Sequence, residues 1–297
     1  MSFYFSDEKM ELTLRNILNE LADNKRNYIL KDCAITWVNY KKNPNNLQKC
    51  GCGINSTKQI YPASIVKLIY GLAIHDWISQ GKLIYDQEIN NATFEMLFNS
   101  SNDATSYIVD TLTGTTSGPS LDNDQWTNWK FQRNIINDWL RESNLDELNK
   151  LNCCQKTWED RPYGREFDFY SNNKNRNSLT TDGTARIMEE IMLNRTYPKE
   201  NINLKNCLFR RLNKHSIKKT SNNQIEGFLG EGIPENTLYW SKAGLMSKVR
   251  HDAAWWKYDE FNQTLLVVFG DNEDFVQDEL FFPQLAQAIH KLNNVIT

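Results

Sequence analysis

Strand-forming sequence in this chain is gathered near its two ends. The run Cys33-Ala34-Ile35-Thr36-Trp37-Val38-Asn39-Tyr40 is rich in β-branched and aromatic residues. Three further stretches of strand character, 236–241, 252–258 and 264–269, lie close to the C-terminus. What separates the two groups has helical spacing. Such an order implies one sheet built from both termini, with a helical part inserted between them. The last three strands are joined by short connections, so they should pair antiparallel. The expected fold is α/β in the broad sense (α+β): an antiparallel sheet flanked by helices, with an inserted all-helical subdomain. Within a single domain of 297 residues, 1–62 plus 214–297 would form the α/β subdomain and 63–213 the helical one.

Several helices are legible from their apolar spacing. Residues 6–24 carry Leu12, Leu14, Ile17, Leu18 and Leu21, and 64–80 (SIVKLIYGLAIHDWISQ) is strongly apolar and stops at Gly81, a good residue to end a helix. The spacing predicts one helix over 92–112, others over 125–143, 203–213 and 277–293, and one from the capping candidates Thr180-Thr181-Asp182 to about residue 194. The polar stretch 41–58 reads as a loop. Residues 150–178 have no clear period, and a long irregular segment in a compact chain tends to be functional.

Composition excludes some classes of function. A hydrophobic content of 40% and a charged content of 24% are ordinary globular values, which rules out disorder or fibrous structure for most of the chain. No apolar run reaches the roughly 18 residues of a membrane span. Basic residues number 34 and acidic ones 37, a net charge of −3, so there is no electrostatic footprint for nucleic acid. Acidic residues interrupt the N-terminal segment at once and no apolar core follows a basic start, which points to the cytoplasm. The six cysteines lack the spacing of a zinc site and read as reduced thiols, and the four histidines form no metal-binding pattern. Neither a metal nor an organic cofactor is implied, and neither a nucleic acid nor a membrane is expected as a partner.

Chemistry-bearing residues recur at telling positions. Ser64-Ile65-Val66-Lys67 opens the most apolar helix, and the i, i+3 spacing puts hydroxyl and amine on one face. Burial there would lower the Lys67 pKa and leave a neutral amine to take the Ser64 proton. The helix N-terminus supplies free N–H groups suited to an oxyanion. Five Ser-x-x-Lys matches occur, starting at Ser6, Ser64, Ser79, Ser171 and Ser216, and only Ser64 begins a buried-looking helix. Ser100-Ser101-Asn102 could be a helix cap. In a functional reading Ser100 relays a proton, while Asn102 holds a substrate amide and the Lys67 side chain. Lys242-Ala243-Gly244 ends a strand, where glycine lets a substrate backbone approach and the lysine adds positive charge.

The order and context of these three elements resemble the serine β-lactamase and penicillin-binding protein superfamily, whose motifs are SxxK, SxN or SDN, and KTG or KSG. Gly232-Ile233-Pro234 ahead of Tyr239-Trp240-Ser241-Lys242-Ala243-Gly244 is similar to the family's approach to its third motif. Arg250-His251-Asp252-Ala253-Ala254-Trp255 is similar to the next strand, and the run 177–185 (NSLTTDGTA) to the start of a class A helix. The resemblance spans roughly 60–290. It implies a cytoplasmic serine hydrolase working through a Ser64 acyl-enzyme, with Lys67 as base and Ser100 and Lys242 as relay. The N–H groups of Ser64 and Leu245 would form the oxyanion hole, and Asn102, Ala243, Gly244, Leu245 and Arg250 would contact substrate.

Departures from the family pattern bear on substrate and on deacylation. Ala243 stands where the family has Thr or Ser contacting a substrate carboxylate, which weakens the case for penicillin-like acids. Ser64 and Ser100 are closer in sequence than in class A enzymes. The ExxLN motif that carries the deacylating Glu is missing, and Glu166 is its best positional substitute, with Glu159, Asp160 and Asp168 competing. The substrate would be a small amide, ester or β-lactam. A glutaminase-like amidohydrolase or an esterase is one alternative. A non-catalytic binding protein that kept the fold, using surfaces around Trp126, Trp129, Trp139 and Trp158, is another.

Overall fold

The computed structural model describes residues 3–23, 25–43, 46–193, 203–213 and 224–295. Seven strands make one sheet: β1 (Phe5–Ser6), β2 (Cys33–Asn43), β3 (Asn46–Ile54), β4 (Phe209–Arg210), β5 (Leu238–Met246), β6 (Val249–Lys257) and β7 (Asn262–Gly270). Their order is β1-β3-β2-β7-β6-β5-β4. Neighbours pair antiparallel, apart from the two-residue parallel pair of β1 with β3. The sheet is therefore assembled from both ends of the chain, with helices between and around.

Alternation along the strands feeds two separate cores. Val38, Tyr40, Ala253, Trp255, Leu265, Val267 and Phe269 bury against the inserted helices on one face. Trp37, Ile35, Ala254, Trp256, Leu266 and Val268 bury on the other, against α1 (Glu8–Ala22), the short α2 (Tyr28–Asp32) and the C-terminal helix Phe281–Val295. Both faces are dry, which is why β7 reads as a nearly unbroken apolar run. The segment 67–79 forms the helix α3 (Lys67–Ser79), buried almost all round and so the centre of the helical part.

Some expectations need correcting. The stretch 41–58 is not simply a loop: β3 occupies half of it and forms a hairpin with β2, in the register Trp37↔Cys52 and Tyr40↔Lys49. Its composition hid it, since Lys, Asn and Gly disfavour strands. Gly51 is there because a Cβ would come within 2.6 Å of the Trp37 carbonyl oxygen. The helix expected over 92–112 is two, α4 (Gln87–Phe98) and α5 (Asn102–Thr113), split at Ser100, which has φ 59°. The segment 125–143 is likewise divided, into α6 (Asn123–Arg133) and α7 (Ile135–Glu142). Residues 203–213 hold a five-residue helix that runs into β4, and the C-terminal helix begins at Phe281 after a short one at Glu273–Gln277. Among the described residues, no helix is long and apolar enough to cross a membrane.

Candidate active site

Ser64 sits in a tight turn, a 3-10 segment at Ala63–Val66, directly before α3. Ala63 has φ 46°, an unfavourable left-handed conformation for a residue with a side chain. That turn is fixed from the sheet. The Gly244 backbone lies against it so closely that a Cβ would stand 2.9 Å from the Pro62 carbonyl oxygen. The His251 Nε2 is 2.8 Å from the Tyr61 carbonyl oxygen. Burial lowers the His251 pKa to about 4, so the ring is neutral near pH 7 and can donate that bond. Ser64 itself is partly exposed. Among the described residues, nothing takes a hydrogen bond from its hydroxyl.

Lys67 follows one turn on and is fully buried. Its amine donates to the Ser100 carbonyl oxygen at 2.6 Å and to Asn102 Oδ1 at 2.8 Å, with the Ser100 hydroxyl 3.3 Å away. Burial lowers its pKa to about 7, against the opposing pull of the Glu159 carboxylate. In its neutral form both hydrogens are spent on those two acceptors, and the lone pair is left for a hydroxyl proton.

The break between α4 and α5 carries the second element into place. Ser101 caps α5 by accepting from the Ala104 N–H, and Arg210 closes the end of α4 by donating to the Leu97 and Phe98 carbonyls. Ser100 is thereby turned toward both lysines. The Lys242 amine donates to the Ser100 hydroxyl oxygen at 2.9 Å. Lys242 is also fully buried, and its pKa is held well below the usual lysine range by burial first, then by the charges of Lys67 and Arg210.

The outer edge of β5 borders this group, because β4 pairs only with Tyr239 and Trp240. The Ala243 N–H points off that edge, into Gln224 Oε1 at 3.0 Å. N–H groups two residues apart on a strand leave on the same side, so the Leu245 N–H points off it too. The structure thus brings together Lys67, Ser100, Asn102 and Lys242, and sets Gly244 against the turn that bears Ser64.

Two residues fall elsewhere. Glu166 does not face this group. It is completely buried, accepts from Arg133 at 2.7 and 3.2 Å and from the Ser117 hydroxyl at 2.9 Å, and lies 3.6 Å from the Lys156 amine. Its oxygens are saturated by a structural ion cluster that also includes Asp110. Arg250 is not at the substrate edge either. Its guanidinium donates to the Gly227 and Val276 carbonyls and lies over the Phe228 ring. Strand parity is the reason: Arg250 is one residue out of phase with His251, which faces the Ser64 turn.

Glu159, only a competitor in sequence, is the carboxylate that reaches the group, accepting from Asn102 Nδ2 at 2.6 Å. Thr157 donates to Asn102 Oδ1 at 2.7 Å. Both stand on the irregular segment, which Asn177 clamps through the N–H groups of Cys154 and Gln155. Gln224 was not legible at all, since it lies in no motif. Of the four tryptophans only Trp129 is buried, and Trp126, Trp139 and Trp158 are half-buried: Trp126 and Trp129 stack on each other and meet Phe169 edge-on, and Trp139 donates to Asp76.

No protein-family model matches this chain, and no curated protein matches it by sequence. Solved structures do. A substituted form of the penicillin-binding protein PBP-A, as an acyl-enzyme with penicillin G, aligns at TM-score 0.64 and 11% identity over 96% of this chain and 97% of that one. A β-lactamase from Burkholderia vietnamiensis aligns at 0.60 and 11% over 97% of each. One from Xanthomonas campestris pv. campestris aligns at 0.59 and 14%, over 94% of this chain and 97% of that one. The chain has the fold of the class A β-lactamases and penicillin-binding proteins, along nearly its whole length.

Proposed function

We propose that this protein is a serine hydrolase acting by acyl transfer through Ser64 on a small amide, ester or β-lactam-like substrate. The observation that carries the reading is the meeting of Lys67, Ser100, Asn102 and Lys242, drawn from α3, the α4–α5 break and β5, beside the turn that presents Ser64.

In this reading neutral Lys67 takes the Ser64 proton as Oγ attacks the substrate carbonyl carbon. The oxyanion is received by the N–H groups of Ser64 and Leu245. As the scissile bond breaks, the leaving group gains its proton through Ser100, whose hydroxyl stands between the two amines. Water then hydrolyses the acyl-enzyme. Glu159 takes the role first given to Glu166 and activates that water, because its carboxylate is joined through Asn102 to Lys67. Gly244 leaves room for the substrate backbone along β5.

The test is covalent labelling by a fluorophosphonate, read by mass spectrometry. A single adduct on Ser64 is expected, absent in Ser64→Ala, whose turnover should fall by on the order of 10⁴–10⁶. A folded Ser64→Ala protein that still turns over its substrate would refute the assignment.

A further inference from the structure

Resting on that reading, the geometry points to Lys156 as a positioning residue for deacylation: its amine ties the irregular segment to α5 and so sets where Glu159 stands. Contacts alternate along this part of the segment. Thr157 and Glu159 turn to Asn102, whereas Lys156 reaches into the ion cluster, with its amine 6.0 Å from the centre of the Trp158 ring. The Lys156 amine donates to Asp110 Oδ2 at 2.7 Å and to the Ser117 hydroxyl oxygen at 2.9 Å, and the residue is only 4% exposed.

Asp110 and Asn102 belong to the same helix. Asn102 opens α5, and Asp110 lies about two turns further on, roughly 12 Å along one rigid rod. The segment is therefore pinned to that rod at two points, by Lys156 at Asp110 and by Thr157 and Glu159 at Asn102. A segment held at one point can pivot about it; held at two, it keeps its register. Beyond Glu159 the chain is exposed at Asp160 and Arg161, so the holds that place the carboxylate lie before it. Loss of the Lys156 tie would let Glu159 drift from Asn102, and a displacement of about 1 Å is enough to cost on the order of 100-fold in a reaction step. The tie itself lies outside the Lys67–Ser100–Lys242 group, so formation of the acyl-enzyme should be spared.

With p-nitrophenyl acetate as the acyl donor, release of nitrophenol in the first turnover gives the acylation rate. Loss of the acetyl group from Ser64, followed by mass spectrometry, gives the deacylation rate. Lys156→Met keeps most of the stem and removes the charge. Its acylation rate should match the wild type, while deacylation slows by about tenfold or more. Lys156→Arg still reaches Asp110 and should restore deacylation. Glu159→Gln slows deacylation as well, and Lys156→Met added to it should slow it no further, because the tie acts through that carboxylate. Should Lys156→Met fail to fold with its charges unbalanced, Lys156→Met combined with Asp110→Asn is neutral again and must show the same split between the two steps. The inference is overturned if both steps slow together, if deacylation is unchanged in Lys156→Met or in Glu159→Gln, if Lys156→Arg behaves like Lys156→Met, or if the two losses multiply. A wild type that labels with fluorophosphonate yet never clears the acetyl group overturns it too, since Glu159 would then have no step to serve. Failure of the wild type to label at all would instead remove the hydrolase reading, and this inference with it.

Discussion

Replacing two carboxylates of the same irregular segment should have opposite consequences. Glu166→Gln removes one of the two acids that balance Arg133 and Lys156 in a closed cluster. Arg133 and Glu166 are both fully buried, and no water can take over from the lost charge. Breaking a buried pair from one side costs about 3–5 kcal/mol. Asp110 remains, at 3.3 Å from Arg133 and 2.7 Å from Lys156, and still shares the two cations, which places the effect near the lower end, about 3 kcal/mol. For a chain of this size that corresponds to a melting point lower by roughly 5–10 °C. Glu159 is exposed, and Glu159→Gln should leave stability within about 0.5 kcal/mol while prolonging the life of the acyl-enzyme. Urea denaturation followed by tryptophan fluorescence reads the first effect, and the decay of the Ser64 adduct by mass spectrometry reads the second. If Glu166→Gln melts like the wild type and traps the acyl-enzyme while Glu159→Gln clears it normally, the placement of these two side chains is wrong.

The pH dependence of acylation follows from Lys67. Its pKa is held near 7, chiefly by burial, and only the neutral amine can accept a proton, so labelling by fluorophosphonate should be slow below pH 6, half-maximal near pH 7 and level above pH 8. A rate that falls across this range would rule Lys67 out as the base. Gly244→Ala drives a methyl to 2.9 Å from the Pro62 carbonyl oxygen and 3.3 Å from the Ile65 N, so β5 must shift away from the Ser64 turn. Acylation should drop by about 100-fold through lost alignment, with the protein still folded by circular dichroism; an unaffected rate would mean that the β5 edge takes no part.

What the sequence revealed depended on how local each signal was. The α3 helix was readable because apolarity on every side is a property of one segment, and the Ser64–Lys67 pair followed from its spacing. The three late strands were visible because both their faces are buried. β3 was hidden because a polar outer strand is made by its hairpin register with β2. Glu166 is marked in the sequence only by its distance along the chain from the Thr181–Leu193 helix, which measures nothing about direction. The segment around it turns on Asn177 and on the Arg133 cluster, so that Glu159 and not Glu166 meets Asn102. Gln224 left no mark, since a glutamine between motifs has no period and no partner in sequence.

Two turns concentrate the strain of the site, and their supports come from far away in the chain. Ala63 and Ser100 both adopt positive φ, which costs on the order of 1–3 kcal/mol each for residues with side chains. Neither local sequence favours that conformation, so tertiary contacts must enforce it. At Ala63 the enforcement is the Gly244 edge and the His251 ring on Tyr61; at Ser100 it is the Ser101 N–H on the Glu95 carbonyl oxygen, the Ser101 cap, and Arg210 on the last carbonyls of α4. Arg210 and His251 are therefore positioning residues of the proposed site, although neither needs to touch a substrate. The same contacts explain why two lysines can be buried so close together. Lys67 and Lys242 meet at the Ser100 hydroxyl because the strained turn delivers it there, and burial with mutual repulsion favours loss of a proton from one of them. A hydroxyl held between a neutral amine and a second, tightly bound one can pass a proton in either direction, which is what the proposed acyl transfer would require of Ser100.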